Sequence, residues 1–213
     1  MTFDQFIAEY PAKTFEKGQT ILLRDVVPTA VYVIESGLVK TYTITATGDE
    51  RLVSIDSVGE DLPIGYAFGL IDRAQYFHEA YTRCVVRLVP RGDYIHYLRF
   101  SSDALYERHI RLITLLLSTF ARVNALEQSR ARDKIAATLA YMADQIGVRL
   151  RPNKSRLKLP ITQQEIADSL GLTRETAGIE LKKLELKKIL THSRKSYVLY
   201  MERLHKYLDE INR

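Results

Sequence analysis

One stretch does most to restrict what this chain can fold into: Thr162-Gln-Gln-Glu-Ile-Ala-Asp-Ser-Leu-Gly-Leu-Thr-Arg-Glu-Thr-Ala-Gly-Ile-Glu-Leu-Lys-Lys-Leu-Glu. Thr162 with Glu165 at the third position beyond it is a capping box, so a helix begins there. Ile166, Ala167 and Leu170 give that helix one apolar face, and Gly171 can take the positive φ that ends it sharply. Thr173 caps a second helix, whose buried face is Ala177, Leu181 and Leu184. Two short helices joined by a tight glycine turn form a helix-turn-helix, whose second helix fits the DNA major groove. An ordinary helical hairpin with solvated charges is the plainer alternative.

The groove reading assigns roles residue by residue. The recognition helix covers about 174–186, and Arg174, Glu175, Gly178 and Ile179 are its base-reading candidates. Arg174 can donate two hydrogen bonds to guanine O6 and N7, and Glu175 can accept from cytosine N4. Thr162, Gln164, Thr173, Thr176 and Lys182 sit where hydroxyls, amides, free backbone N–H groups and an ammonium hold phosphates. Beyond them, Lys187–Tyr200 reads as two short strands around a basic turn, a wing that brings Arg194 and Lys195 to phosphates. Charge agrees with this. Residues 151–213 hold 14 Lys+Arg against 8 Asp+Glu, and the first 150 hold 17 against 18, so the whole excess of +5 lies in the last third. A basic segment beside a neutral one suits a polyanion, although a solvated surface would also fit.

Residues 14–90 have a different texture. Val31-Tyr-Val-Ile-Glu-Ser-Gly-Leu-Val-Lys-Thr-Tyr-Thr-Ile-Thr is rich in β-branched and aromatic residues and is broken at Ser36-Gly37. Ala46-Thr-Gly-Asp-Glu marks a hairpin turn. Short strands punctuated by glycines predict a sandwich or roll. From Ser102 to Ala125 there is neither Pro nor Gly. Here Leu105, Leu112, Leu116, Thr119, Val123 and Leu126 step by three, four and seven, the spacing of a coiled-coil seam. Ile110, Ile113, Leu117 and Phe120 form a second stripe, so one stripe can pack on the helix's own domain while the other meets a partner. A single wide core-facing stripe on a monomer is the alternative. Arg132–Ile146 continues as another helix with Gly147 at its C-cap, and Arg149–Lys158 reads as a loop. The boundary falls at 128/129, which makes 1–128 an effector-type domain with its long helix and 129–213 the DNA-binding domain.

The helix-turn-helix motif, with Phe15-Glu-Lys-Gly, Val31-Tyr-Val-Ile-Glu-Ser-Gly and Gly59-Glu, resembles the family of the cyclic-AMP receptor protein and FNR over nearly the whole chain. That resemblance implies an α+β fold: a cyclic-nucleotide-binding-like β-roll, a long dimerisation helix at about 102–127, then a winged helix-turn-helix. It also implies a homodimeric transcription regulator on an imperfect palindrome of double-stranded DNA, with RNA polymerase as a partner if it activates. Two departures stand out. Ile179 replaces a usual arginine and can touch only a thymine methyl, and Glu180 stands where an apolar residue is usual, so it must reach solvent or a basic partner. Near the family's ribose and phosphate contacts lie Ile64, Gly65, Tyr66, His78 and Glu79, with Thr119 at the purine position; these are the effector-pocket candidates. A glutamate beside a phosphate would repel it, which disfavours cyclic AMP and leaves an unknown small effector, or none.

Other classes find little support. Cys84 cannot by itself build an iron–sulfur or zinc site; it reads as a buried strand residue, with a redox sensor as the minor alternative. His78 and His109 could ligate haem but read more simply as structural. Tyr66, Phe68, Tyr76, Phe77 and Tyr81 read as core aromatics or as a small apolar pocket. No nucleophile–base constellation, phosphate-cradling loop or metal-ligand spacing appears, so neither an enzyme nor a metal site is expected. With no membrane span or signal segment in view, the expected location is cytoplasmic. The competing functional class is a small-molecule or haem sensor whose DNA-binding part is vestigial.

Overall fold

The computed structural model describes residues 1–157, 161–193 and 196–211. By compactness the chain divides into two units, Met1–Thr114 and Leu115–Arg213. The first begins with α1 (Phe3–Ala8), followed by β1 (Ala12–Phe15), β2 (Thr20–Leu22), β3 (Val31–Ser36), β4 (Val39–Ile44), β5 (Glu50–Asp56) and β6 (Asp61–Leu62). Then come α2 (Ile64–Ala67), β7 (Phe77–Ala80), β8 (Cys84–Val89), α3 (Arg91–Phe100) and α4 (Ser102–Glu127), the last of which runs on into the second unit. The strands form two antiparallel four-stranded sheets, ordered β1-β8-β3-β6 and β2-β7-β4-β5. One core draws on both, with Phe15, Ile34 and Val86 from the first and Leu22, Val39 and Ala80 from the second.

The unbroken apolar run of β3 has a simple cause: it is covered on both faces. Tyr32 and Ile34 join the core between the sheets, whereas Val31 and Val33 pack with Phe3, Phe6, Tyr94 and Leu98 of the helices. The break at Gly37 is obligatory. Its φ is +89°, and a Cβ there would lie 2.4 Å from the carbonyl oxygen of Arg83. Cys84 sits against it, fully buried, its thiol directed to the carbonyls of Leu38 and Thr82. Burial pushes that thiol up, away from the thiolate that redox chemistry needs.

The second unit continues with α5 (Ala131–Ile146), β9 (Gly147–Arg151), β10 (Lys154–Leu157), α6 (Gln163–Leu170), α7 (Arg174–Leu186), β11 (Leu190–Ser193), β12 (Ser196–Tyr200) and α8 (Met201–Ile211). Its strands pair in the order β11-β12-β10-β9. The expected loop at Arg149–Lys158 is therefore wrong for its described part, which is the β9–β10 hairpin. The hairpin escapes sequence reading because only Ser155 and Leu157 are buried; backbone pairing, rather than apolar alternation, builds it. Gly147 is the C-cap of α5, as expected, its amide donating to the carbonyl of Ala143, although its backbone is extended rather than left-handed. Its φ and ψ are −75° and 139°, and glycine is needed because a Cβ would meet the carbonyl oxygen of Ala143 at 2.2 Å.

Helix α4 has the expected limits but not the expected inward face. Both apolar stripes are exposed: Leu105, Leu112, Leu116, Val123 and Leu126 of the seam, and Ile110, Ile113, Leu117 and Phe120 beside it. The buried positions are Ala104, Arg108, Arg122 and Ala125. Arg108 pairs with Asp61 at 3.0 Å and lies over the ring of Phe3. Small and basic residues thus fix α4 to its own chain, which leaves the apolar stripes unpartnered. The reading at 128/129 put all of α4 with the first unit; compactness instead divides the helix, because its C-terminal half is held by α5 and α6. Gln145 Nε2 donates to Ser118 Oγ at 2.9 Å, and Arg122 donates to the carbonyl of Ser169 at 2.7 Å.

Candidate nucleic-acid interface

The local rules that start and stop α6 and α7 operate as the residues suggest. Thr162 Oγ1 accepts from the Glu165 amide at 3.1 Å, and Glu165 Oε2 accepts from the Thr162 amide at 2.7 Å. Gly171 closes α6 with φ +66°, and the Leu172 amide reaches back to the carbonyl of Ala167. Thr173 Oγ1 caps α7 by accepting from the Thr176 amide at 3.2 Å. Between the two helices Ile166, Ala167, Leu170, Ala177, Leu181 and Leu184 are buried. The fully buried Ala167 is where side-chain bulk would push the pair apart.

What remains on the open side of α7 is Arg174, Glu175, Ile179, Lys182 and Lys183, all exposed. Ile179 is 57 % exposed, an apolar side chain facing water among charges. Glu180 finds the basic partner it required, accepting from Lys183 Nζ at 2.6 Å. Gly178 does not belong to the open face. It is half-buried and turned toward α6, where a Cβ would come within 3.1 Å of Gln163 Oε1. A side chain at this position would press on Gln163, so what Gly178 can offer DNA is backbone alone.

The phosphate candidates divide by what already occupies them. The hydroxyls of Thr162 and Thr173 serve as caps, and Thr176 Oγ1 lies 3.0 Å from that of Thr173. Gln164 Nε2 donates to Asp168 at 2.7 Å. Lys182 is exposed. Arg194 and Lys195 lie outside the described residues; the flanking Ser193 and Ser196 form the last rung of β11 and β12. Sequence reasoning missed Gln163, whose amide nitrogen lies 3.3 Å from His192 Nε2 on β11. The His192 ring in turn stacks on Tyr197. That chain ties the start of α6 to the wing strands, and nothing local in the sequence announces it.

Of the effector-pocket candidates, His78 and Glu79 lie on β7, Ile64, Gly65 and Tyr66 in α2, and Thr119 on α4. On β7, His78 faces the space between the sheets and Glu79 faces the other way, because successive strand residues alternate. Glu79 pairs with Lys40 at 3.4 Å on the outer side, so the expectation that it repels a phosphate inside the roll is corrected. Ile64, Gly65 and Tyr66 form the short α2, with Ile64 exposed and Tyr66 under the guanidinium of Arg91. Thr119 belongs to the second unit and spends its hydroxyl on the carbonyl of Leu115. His109 is exposed on α4, its Nδ1 at 2.9 Å from the carbonyl of Leu105.

The sequence did not foretell a buried polar group on the inner face of that sheet. His78, 4 % exposed, has Nδ1 2.8 Å from Thr41 Oγ1, and Thr41 also bonds Asp56. His78 Nε2 is buried with no partner among the described residues. Burial lowers the imidazole to about 4. As pH falls below about 6.5, the unfolded chain takes up a proton that the folded chain refuses, so stability is lost between about 6.5 and about 4. Glu60, pushed up to about 7 chiefly by burial, works the other way: its contribution is present at low pH and is lost as pH rises through 7. The measurement is therefore a difference. Between pH 7 and 5 the wild type is expected to lose about 2 kcal/mol more than His78→Leu in chemical denaturation. Parallel pH curves for the two would mean that the imidazole is not held neutral.

Comparison with known proteins agrees with this architecture. The Crp-like helix-turn-helix domain matches residues 111–207. The nitrogen fixation regulation protein FixK of Rhizobium meliloti is 26% identical over 83% of this chain and 76% of its own length. The cAMP-activated global transcriptional regulator CRP of Escherichia coli is 26% identical over 91% of this chain and 89% of its own. Among solved structures, FixK2 from Bradyrhizobium japonicum superposes with a TM-score of 0.75 over 92% of this chain and 96% of that one, at 22% identity. No helix among the described residues is long and apolar enough to cross a membrane. The succession of a cyclic-nucleotide-binding-like β domain, a long helix and a helix-turn-helix is the fold of the CRP/FNR transcription regulators, to which this chain is similar over most of its length, and residues 111–207 match the Crp-like helix-turn-helix domain.

Proposed function

We propose that this regulator acts as a homodimer that reads an imperfect palindrome through α7, with Arg174 and Glu175 on base edges and Ile179 against a thymine methyl. The observation that carries the reading is the division of α7: Ala177, Leu181 and Leu184 are buried while Arg174, Glu175 and Ile179 stand exposed on one capped, rigid rod. The exposed stripes of α4 supply the second half of the reading. Helices pair through such seams, and pairing about a two-fold would present two copies of α7 to adjacent turns of duplex.

We further propose that cyclic AMP is not the effector. Val39, Thr41, Asp56, His78 and Ala80 are buried toward the interior of the β2-β7-β4-β5 sheet. None carries a positive charge at neutral pH, so this wall offers no cation to a cyclic phosphate. Calorimetry with cyclic AMP should give no binding heat, and micromolar affinity would overturn this part.

The DNA reading is tested by selection from randomised duplexes with the full chain. It should enrich one sequence with dyad symmetry, bound with an affinity that falls steeply and log-linearly with salt. Failure to enrich any sequence, or enrichment of a single asymmetric half-site, would contradict it.

A further inference from the structure

Arg122 is the least expected residue of α4. It is 5 % exposed, yet no carboxylate pairs with it among the described residues. Its Nη2 donates to the Ser169 carbonyl of α6 at 2.7 Å, Nη1 reaches Thr138 Oγ1 of α5 at 3.5 Å, and the guanidinium lies 5.7 Å from the ring centre of Tyr141. Its Nε has no partner among the described residues. Burial without a counter-charge drives the guanidinium below its ordinary range. A buried cation of this kind is a poor stabilising device, since an apolar side chain of similar volume often replaces buried charges without loss.

Its position suggests another use. Ser169 is the next-to-last residue of α6, and its carbonyl is one of those that a helix leaves without an internal donor. The carbonyl of Ala167 is taken by the Leu172 amide and that of Asp168 by the Gly171 amide; that of Ser169 is met by Arg122. The cation also faces the negative end of the helix dipole, where positive charge is favoured. On α4 itself Arg122 is flanked by the seam residues Thr119, Val123 and Leu126, so turning the helix to repack the seam turns the guanidinium too.

We infer that Arg122 is a positioning residue for DNA reading: by gripping the end of α6, it sets the orientation of the helix-turn-helix relative to the seam helix. This rests on the dimeric DNA-reading proposal above. The shape of its contribution follows from the geometry. Losing the grip leaves the fold and the charge of α7 in place but loosens the spacing at which two copies meet DNA.

The test compares wild type, Arg122→Met and Arg122→Lys on the palindrome enriched by the wild-type chain and on a scrambled duplex of equal length, with thermal midpoints measured alongside. Arg122→Met should keep or raise the midpoint and bind the scrambled duplex as before. Its affinity for the palindrome should fall about tenfold, in the range of ordinary inter-site couplings. Arg122→Lys, which keeps a donor for the carbonyl, should recover part of that loss. Three outcomes overturn the inference: palindrome affinity unchanged in Arg122→Met; midpoint and both affinities falling together; or Arg122→Met failing to fold while Arg122→Lys behaves as wild type, which would make the residue purely structural. A wild-type chain that enriches no sequence at all sinks the DNA-reading proposal first, and this inference with it.

Discussion

Arg174→Ala should cost between about 30-fold and about 20,000-fold in affinity for the selected palindrome, and little on scrambled duplex. The range follows from a bidentate arginine–guanine pair, worth about 1–3 kcal/mol of discrimination, counted once in each half-site. Arg174 is the first residue of α7, immediately after the Thr173 cap, and is exposed. Truncation therefore opens no cavity and breaks no core contact, and the thermal midpoint should stay within a degree or two. Repeating the selection with the variant gives a second readout, because the base under Arg174 should become degenerate while the rest of the sequence persists. Equal loss on every duplex would mean that Arg174 holds a phosphate rather than a base.

The second large effect is expected at the seam. Leu112 and Leu116 are each 49 % exposed, so a carboxylate at Leu116 is harmless to the isolated chain. In a dimer the same substitution buries two carboxylates close to the two-fold axis. An unpaired buried charge costs several kcal/mol, so Leu116→Glu should raise the dimer dissociation constant by at least about 1,000-fold. Sedimentation should then show a folded monomer with unchanged circular dichroism, and palindrome binding should fall with it. A variant that remains a dimer at micromolar concentration would remove α4 as the pairing surface. Because Leu116 lies far along the helix from both Arg108 and Arg122, the result separates pairing from the contacts that hold α4 to its own chain.

The two substitutions probe features that differed in how legible they were. Thr162, Glu165, Gly171 and Thr173 announced α6, its turn and α7, and the structure builds each of those caps. The hairpin turn before β5 and the break at Gly37 were equally readable, as was the extent of α4. All are governed by groups a few residues apart, where chemistry and spacing act directly on the backbone. The same holds for Ile179 and Glu180, whose exposure and pairing follow from their place on a helix whose other face was already identified.

Other features needed the tertiary structure. Glu79 was placed beside a ligand, but a one-residue step along β7 turns it outward while His78 goes in. The Arg149–Leu157 hairpin carries no apolar alternation, because its partners β12 and α5 cover only part of it. Gly178 looked free to face DNA until Gln163 was found against it. Most of all, α4 displays two apolar stripes, and a sequence alone assigns one of them to its own domain. The structure leaves both outside and buries two arginines instead. Caps, turns and helix limits were written in neighbouring residues because the hydrogen bonds that make them are local. Which face of an element is covered depended on chain segments brought from far away, and only the folded packing of those segments decided it.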